Sequence, residues 1–365
     1  AVLNVNGSAT LASASALSAN GTVNFTTASQ TLGNLAGSGA LSLNNTVLTL
    51  GTGDFSGVIS GGGSLVKSAA GTLVLRGGNT FGGGVSLSGG LVAVGSNSAL
   101  GSGQLTMSGG TLTSVDTTAR TLGNALSLSN TLVLGDATNS GALTFSGDAA
   151  LTAATTLNVA SAVNLGGALS GAYALTKTGA GVLSLSGTNT YSGATVVSGG
   201  SLVAGAGALA ATASIAVNGA TLSAVNYNGS AALNVNGSGF ATISGTDLSL
   251  AAVSNANTAT NAVNFLGATG TLTLAGLSGA GYTRFGSDAV INGGGIGNGT
   301  VDVVGLLTAD ILGGIVGANA LAAGTVSGGV NTIAAGATIG TVSGGVTGIG
   351  TTAVLTSVSG GNTTV

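Results

Sequence analysis

Histidine, cysteine, proline, tryptophan and glutamate are all missing from this 365-residue sequence. Charge is scarce as well: five cations (Lys67, Arg76, Arg120, Lys177 and Arg284) face eight acids, all of them aspartate. Without His or Cys the chain has neither a Ser-His-Asp nor a Cys-His nucleophile, and the usual ligands of zinc, copper, haem and iron–sulfur centres are gone. No side chain titrates near neutral pH in its ordinary state. Five dispersed cations at an isoelectric point near 4.3 cannot neutralise a phosphate backbone, so no nucleic-acid partner is expected. The absence of Cys fits an extracellular bacterial protein that does without disulfides. The lack of Pro argues against an extended linker. With 44% hydrophobic residues and a mean hydropathy of +0.63, the chain is too apolar for a solvated coil. Long helices are disfavoured because Gly, Ser, Thr, Asn and Val dominate.

A membrane-embedded chain is not expected either. No apolar run approaches the roughly 18 residues of a spanning helix, and the best stretch, 301–323, holds Asp302 and Asp310. Seven Phe and four Tyr without Trp would furnish the two aromatic girdles of a transmembrane barrel poorly. The opening AVLNVNGSAT lacks a basic start, so no signal peptide is expected in it.

What the chain has is repetition. The run 65–83, LVKSAAGTLVLRGGNTFGG, matches 175–193, LTKTGAGVLSLSGTNTYSG, with Lys, Gly, Leu-x-Leu, Gly, Asn-Thr and an aromatic at identical offsets. Both continue to Ser-Gly-Gly, at 88–90 and 198–200. Thr31-Leu32-Gly33-Asn34 recurs as Thr121-Leu122-Gly123-Asn124, and the series beginning at Thr325, Thr341 and Ser357 advances by 16 residues. Within units the period is two, as in Leu73-x-Leu75, Leu183-x-Leu185, Leu248-x-Leu250 and Leu272-x-Leu274, mostly with Ser or Thr between. Leu then faces one side and hydroxyls the other. Short strands bounded by Gly and Asn-Gly corners, recurring about every 16–22 residues, predict a right-handed parallel β-helix (β-solenoid) of roughly 17 to 20 rungs. A β-sandwich array is the alternative. Outward Ser, Thr and Asn are expected to stack into ladders, each Asn bonding its copy in the next rung.

The two longest copies carry a family signature. Lys67, Gly71, Leu73, Leu75, Gly77, Asn79, Thr80 and Phe81 in the first, with Lys177, Gly179, Gly181, Leu183, Leu185, Gly187, Asn189, Thr190 and Tyr191 in the second, resemble the passenger-associated transport repeat of bacterial autotransporters. Ala69 stands where the first copy should have its leading glycine. The resemblance implies a β-helix displayed outside a Gram-negative cell, with a motif that supports secretion and folding and is not catalytic. Passengers of this family are typically followed by a translocator barrel. Residues 291–365, with their 16-residue spacing, do not match the repeat and look more like a surface-layer or filament protein.

Sharper readings meet plainer ones. The glycine runs at 61–63 and 293–297 lack a following helix and a P-loop lysine, so corners are expected there, not phosphate sites. The stretch 294–302 is faintly similar to a calcium-binding nonapeptide, but Gly299 stands in place of the aspartate. The pair Asp136/Asp148 and the trio Asp288, Asp302, Asp310 are the nearest thing to a glycan-cleaving carboxylate pair, with solvated corners the plainer alternative. Tyr173, Tyr191, Tyr227 and Tyr282 read as a sugar-stacking stripe or as corner fillers. Thr-x-Thr regularity is too poor for ice binding. Lys67 and Lys177 share a repeat position, so a common structural role at a rung edge is expected.

The sequence therefore predicts a non-enzymatic extracellular structural protein without catalytic, cofactor-binding or metal-ligating residues. Residues 1–290 are expected to form a passenger-type solenoid, strongest at 55–95 and 167–205, and 291–365 a second solenoid of 16-residue repeats. Self-association end to end into a filament or surface matrix is the expected assembly. The alternatives are an adhesin passenger binding a cell surface or glycan, as in biofilm, and, less favoured, a glycan-cleaving β-helix enzyme.

Overall fold

A computed structural model describes residues 1–246, 248–266, 272–291, 295–297, 299–309, 315–326, 330–333, 337–342, 346–349, 354–358 and 362–364. These residues form a parallel β-solenoid, with no helix among them. The solenoid is the predicted fold. Some coils are longer than the shortest repeat suggests. Val85 pairs with Leu105 across a step of 20 residues, whereas Leu128 pairs with Leu151 and Asn130 with Thr155. Loops at 115–119 and 135–142 interrupt the strands there and lengthen the coil. The chain divides into two units, Ala1–Tyr191 and Ser192–Val365.

In the first unit, period-two alternation lays one column of inward side chains on the next. Leu48, Leu65, Val85, Leu105, Leu126, Ala149 and Leu169 are successive partners in register. All seven are buried. Enclosing one such aliphatic side chain stabilises the fold by about 1.5–3 kcal/mol, so the column is a continuous source of cohesion along the stack. Facing outward, Asn24 Nδ2 donates to Asn4 Oδ1 at 2.8 Å, the Asn-to-Asn ladder that the sequence predicts, whereas Asn34 Nδ2 donates to Thr52 Oγ1 at 3.0 Å.

The second unit repeats the scheme. Ile215, Leu233, Val253 and Leu277 pair in sequence, and Phe265 lies flat on Phe285 with ring centres 5.1 Å apart. Asn236 Nδ2 donates to Asn218 Oδ1 at 3.0 Å. Thr325 pairs with Thr341, and Thr341 with Ser357, so the 16-residue spacing is the length of one coil. The residues that follow, Ser327–Gly329, 343–345 and 359–361, lie outside the described residues.

Corners impose their own rule. Gly21, Gly39, Gly57 and Gly77 stand one above another, and a Cβ on Gly39, Gly57 or Gly77 would run into the carbonyl oxygen of the glycine below. Those oxygens are already in use: Ala40 N donates to Gly21 O at 3.1 Å and Val58 N to Gly39 O at 3.2 Å. A methyl group would displace a ladder hydrogen bond. Gly82, by contrast, has open space where its Cβ would be. Gly57→Ala is therefore expected to cost about 1–3 kcal/mol through overpacking, and Gly82→Ala to stay within about 0.5 kcal/mol of the parent. Urea midpoints of the two variants measure the difference; equal midpoints would refute the column.

Candidate functional site

The repeat motif is where side chains with chemistry converge. Lys67 closes the strand Ser64–Lys67 and occupies the inward column that continues as Leu87, Met107, Leu128 and Leu151. Lys177 likewise follows Leu132 and Leu157. Neither lysine has any exposed surface. The position sits in the core, inside the rung edge that the sequence suggests. Its four-carbon stem takes the place of a leucine, and its ammonium turns to the corner where the strand ends.

There the ammonium meets main-chain oxygen. Lys67 Nζ donates to the carbonyl of Ala69, and Lys177 Nζ donates to Thr178 O at 2.9 Å and Gly179 O at 2.7 Å. A Cβ on Gly90 would collide with Lys67 Nζ and with the carbonyl of Ala69, which explains the Ser-Gly-Gly that closes this copy. Gly90 also has φ of +68°, a conformation costly for residues with a Cβ. Burial disfavours the charged form and lowers both lysines, Lys177 to about 8. An amine sealed from solvent and spent on carbonyls is a corner clamp; a nucleophile or base needs access to substrate.

The Asn-Thr-aromatic element closes the next corner. Asn79 Oδ1 accepts from Ile59 N at 2.8 Å, and its Nδ2 donates to Ala99 O at 2.6 Å, so one buried carboxamide bridges the rungs below and above. In the second copy Asn189 Oδ1 accepts from Leu169 N at 2.8 Å. Thr80 N and Thr190 N donate to Ile59 O at 2.9 Å and Leu169 O at 2.8 Å, and the rings of Phe81 and Tyr191 are buried.

The remaining candidates separate. Asp54 accepts twice from Arg76, at 2.7 and 2.9 Å, which holds its carboxyl below the usual carboxylate range. Asp116 is lowered chiefly by the Thr118 backbone N–H, and it also pairs with Arg120 at 3.1 Å. Asp136 caps its own turn through Thr138 N, whereas Asp148 accepts from Ala168 N. Asp288 accepts from Leu306 N, and Asp302 faces Arg284 at 3.5 Å. Asp310 and most of the 292–298 glycine-rich stretch lie outside the described residues. No group of three metal-binding side chains occurs among the described residues. The tyrosines form no stripe: Tyr191 and Tyr227 are buried, the latter accepting from Ala231 N at 3.1 Å, while Tyr173 is exposed.

Sequence reasoning missed a further corner in the second unit. Buried Asn255 donates to Tyr282 O at 2.8 Å and accepts from Asn257 N at 3.0 Å, and Asn257 donates to Gly239 O at 2.7 Å. The signal was Asn at the inward phase of Val253-Ser254-Asn255, where the period calls for an aliphatic residue.

The lysines set a pH dependence whose sign is unusual. Lys177 falls from an ordinary 10.5 to about 8 in the folded chain. Between those values the unfolded chain binds the extra proton, so this residue adds stability as pH rises from about 8 towards 10.5. Thermal midpoints of the parent minus those of Lys177→Met should increase over that interval; a flat difference would refute the buried amine. Trypsin gives a second check, because Lys67 and Lys177 are enclosed whereas Arg76 is exposed. First cuts are expected after Arg76, Arg120 or Arg284, and an early cut after either lysine would contradict the structure.

Residues 65–94 and 175–204 match the family model described as the passenger-associated-transport-repeat. No curated protein and no solved structure matches the chain. Both matched segments begin two residues ahead of a buried lysine and hold the Asn-Thr-aromatic corner, and by these two segments the chain carries the passenger-associated-transport-repeat, consistent with an autotransporter passenger domain.

Proposed function

We propose that the chain is a structural β-solenoid of the Gram-negative cell exterior that assembles end to end with copies of itself into a filament or surface matrix. The repeat family supports the location, since passenger β-helices are secreted or held at the cell surface and are typically without enzymatic activity. The observation that carries the reading is the parallel ladder itself. Coil after coil presents the same pattern of inward aliphatic and outward Asn, Ser and Thr residues, and the unpaired edge of such a ladder is a template for another coil. A net charge of −3 opposes association weakly. The function on this reading is mechanical: the two clamped repeats fix the coil, and coil number fixes reach.

Electron microscopy of the purified chain across a roughly hundredfold dilution series decides between assembly and display. The expected result is polymers that shorten on dilution, with an axial repeat of about 4.8 Å. Single particles at every concentration would overturn the filament and leave a displayed adhesin passenger, whose partner is a cell surface or glycan.

A further inference from the structure

The outer face of the strands Thr72–Leu75, Leu91–Val94 and Thr111–Ser114 departs from the rest of the first unit. Val74, Ala93 and Thr113 are successive outward partners. Outward residues of a solenoid face water, yet Ala93 and Thr113 are only 6% and 1% exposed. The loop 135–142 that follows the strand Leu126–Leu134 contributes Asp136 and Asn139 to the same depression, whose volume is about 210 Å³.

Charge is concentrated at this place. Of thirteen charged residues in the chain, five gather here. Arg76 and Asp136 line the depression, Asp54 chelates Arg76, Asp116 attracts Arg76, and Arg120 pairs with Asp116. The guanidinium is electrically compensated, because its Nε and Nη2 are spent on Asp54, leaving Nη1 as a donor without a formal excess of charge. Asp136 uses Oδ1 for Thr138 N at 2.6 Å and Asn139 N at 3.2 Å. Among the described residues its Oδ2 and the Asn139 carboxamide have no partner.

We propose that this depression binds one neutral pyranose ring, an activity separate from self-assembly. Three features select that chemistry. The volume falls below the roughly 300 Å³ at which pockets for drug-sized ligands begin, which limits the ligand to a small group such as a single ring. The floor of Val74, Leu91 and Ala93 matches the apolar C–H face of a sugar, and the rim offers an acceptor at Asp136 Oδ2, both kinds of group at Asn139 and a donor at Arg76. Ring hydroxyls both donate and accept, as this mixed rim requires. An anionic ligand would meet the Asp136 carboxylate, which among the described residues is bonded by backbone N–H groups and by no cation.

The probes are the methyl glycosides of glucose, galactose, mannose and N-acetylglucosamine, followed by saturation-transfer NMR on the intact chain. Expected is saturable binding of at least one of them, weakened at least tenfold by Asp136→Asn and by Asn139→Ala. Asparagine at 136 keeps the Oδ1 acceptor that closes the turn, and urea midpoints equal to the parent's verify folding. For the parent alone, backbone amide shifts at Val74, Ala93 and Asn139 should move with the titration, which holds whether or not a variant folds. Absence of binding by all four glycosides overturns the proposal. So does binding that both folded variants retain, or binding confined to charged sugars such as glucuronate. Filament formation is measured separately, so either proposal can fail with the other intact.

Discussion

Everything in this solenoid depends on where main-chain carbonyls find donors when a strand ends. Along the strands the answer is automatic, because each rung bonds the next in parallel register. At corners the ladder breaks, and a buried carbonyl without a donor costs on the order of 1–3 kcal/mol. The repeat motif answers with side chains that reach the gap from the core: Lys177 to Thr178 and Gly179, Lys67 to Ala69, Asn79 to both neighbouring rungs. A Ser or Asn at position 67 or 177 would be too short to fill the leucine column and reach the corner together. Lysine does both, at the cost of desolvating an amine, and that cost is visible in the lowered proton affinity of both residues.

The glycines of the motif follow from the same constraint. Gly90 stands over the clamped corner of the first copy, where any side chain would occupy the ammonium's place. A motif that reads as Lys, Gly, Leu-x-Leu, Gly, Asn-Thr-aromatic, Gly-Gly is thus a list of corner solutions separated by ordinary strand. Its pieces are mutually dependent, which makes a two-copy match meaningful even though it spans a small part of the chain.

What the sequence disclosed and what it hid divide along that line. Alternation is local, so Leu73-x-Leu75 and Leu183-x-Leu185 announce their strands and their inward faces. The 16-residue spacing at 325, 341 and 357 gives the register directly. Corner chemistry is non-local. Nothing next to Lys67 in sequence marks it as buried, because its alternation phase shows only when Leu87 and Met107 are laid over it. Asn79 lacked any sign that its partners would be Ile59 and Ala99, twenty residues away on either side. The loops at 115–119 and 135–142 carry no repeat of their own, so the long step from Leu128 to Leu151 and from Asn130 to Thr155 is not legible from a mean spacing.

Those loops also explain why polar chemistry gathers in one place. Within a regular rung a charged side chain needs a partner: inward Lys177 is clamped on carbonyls, and outward Arg284 pairs with Asp302 on the neighbouring strand. Interrupted rungs admit charge as well. Asp116 sits in one loop with Arg120 pairing back to it, and Asp136 in the other, lining one depression with Arg76, the exposed residue that follows Thr72–Leu75. Regular coils and interrupted coils so divide the work. The former supply cohesion and continuity, which depend on the glycine columns and the clamps and tolerate little change. The latter supply a surface whose residues are free to vary without breaking the ladder, which is the condition for a scaffold to acquire recognition.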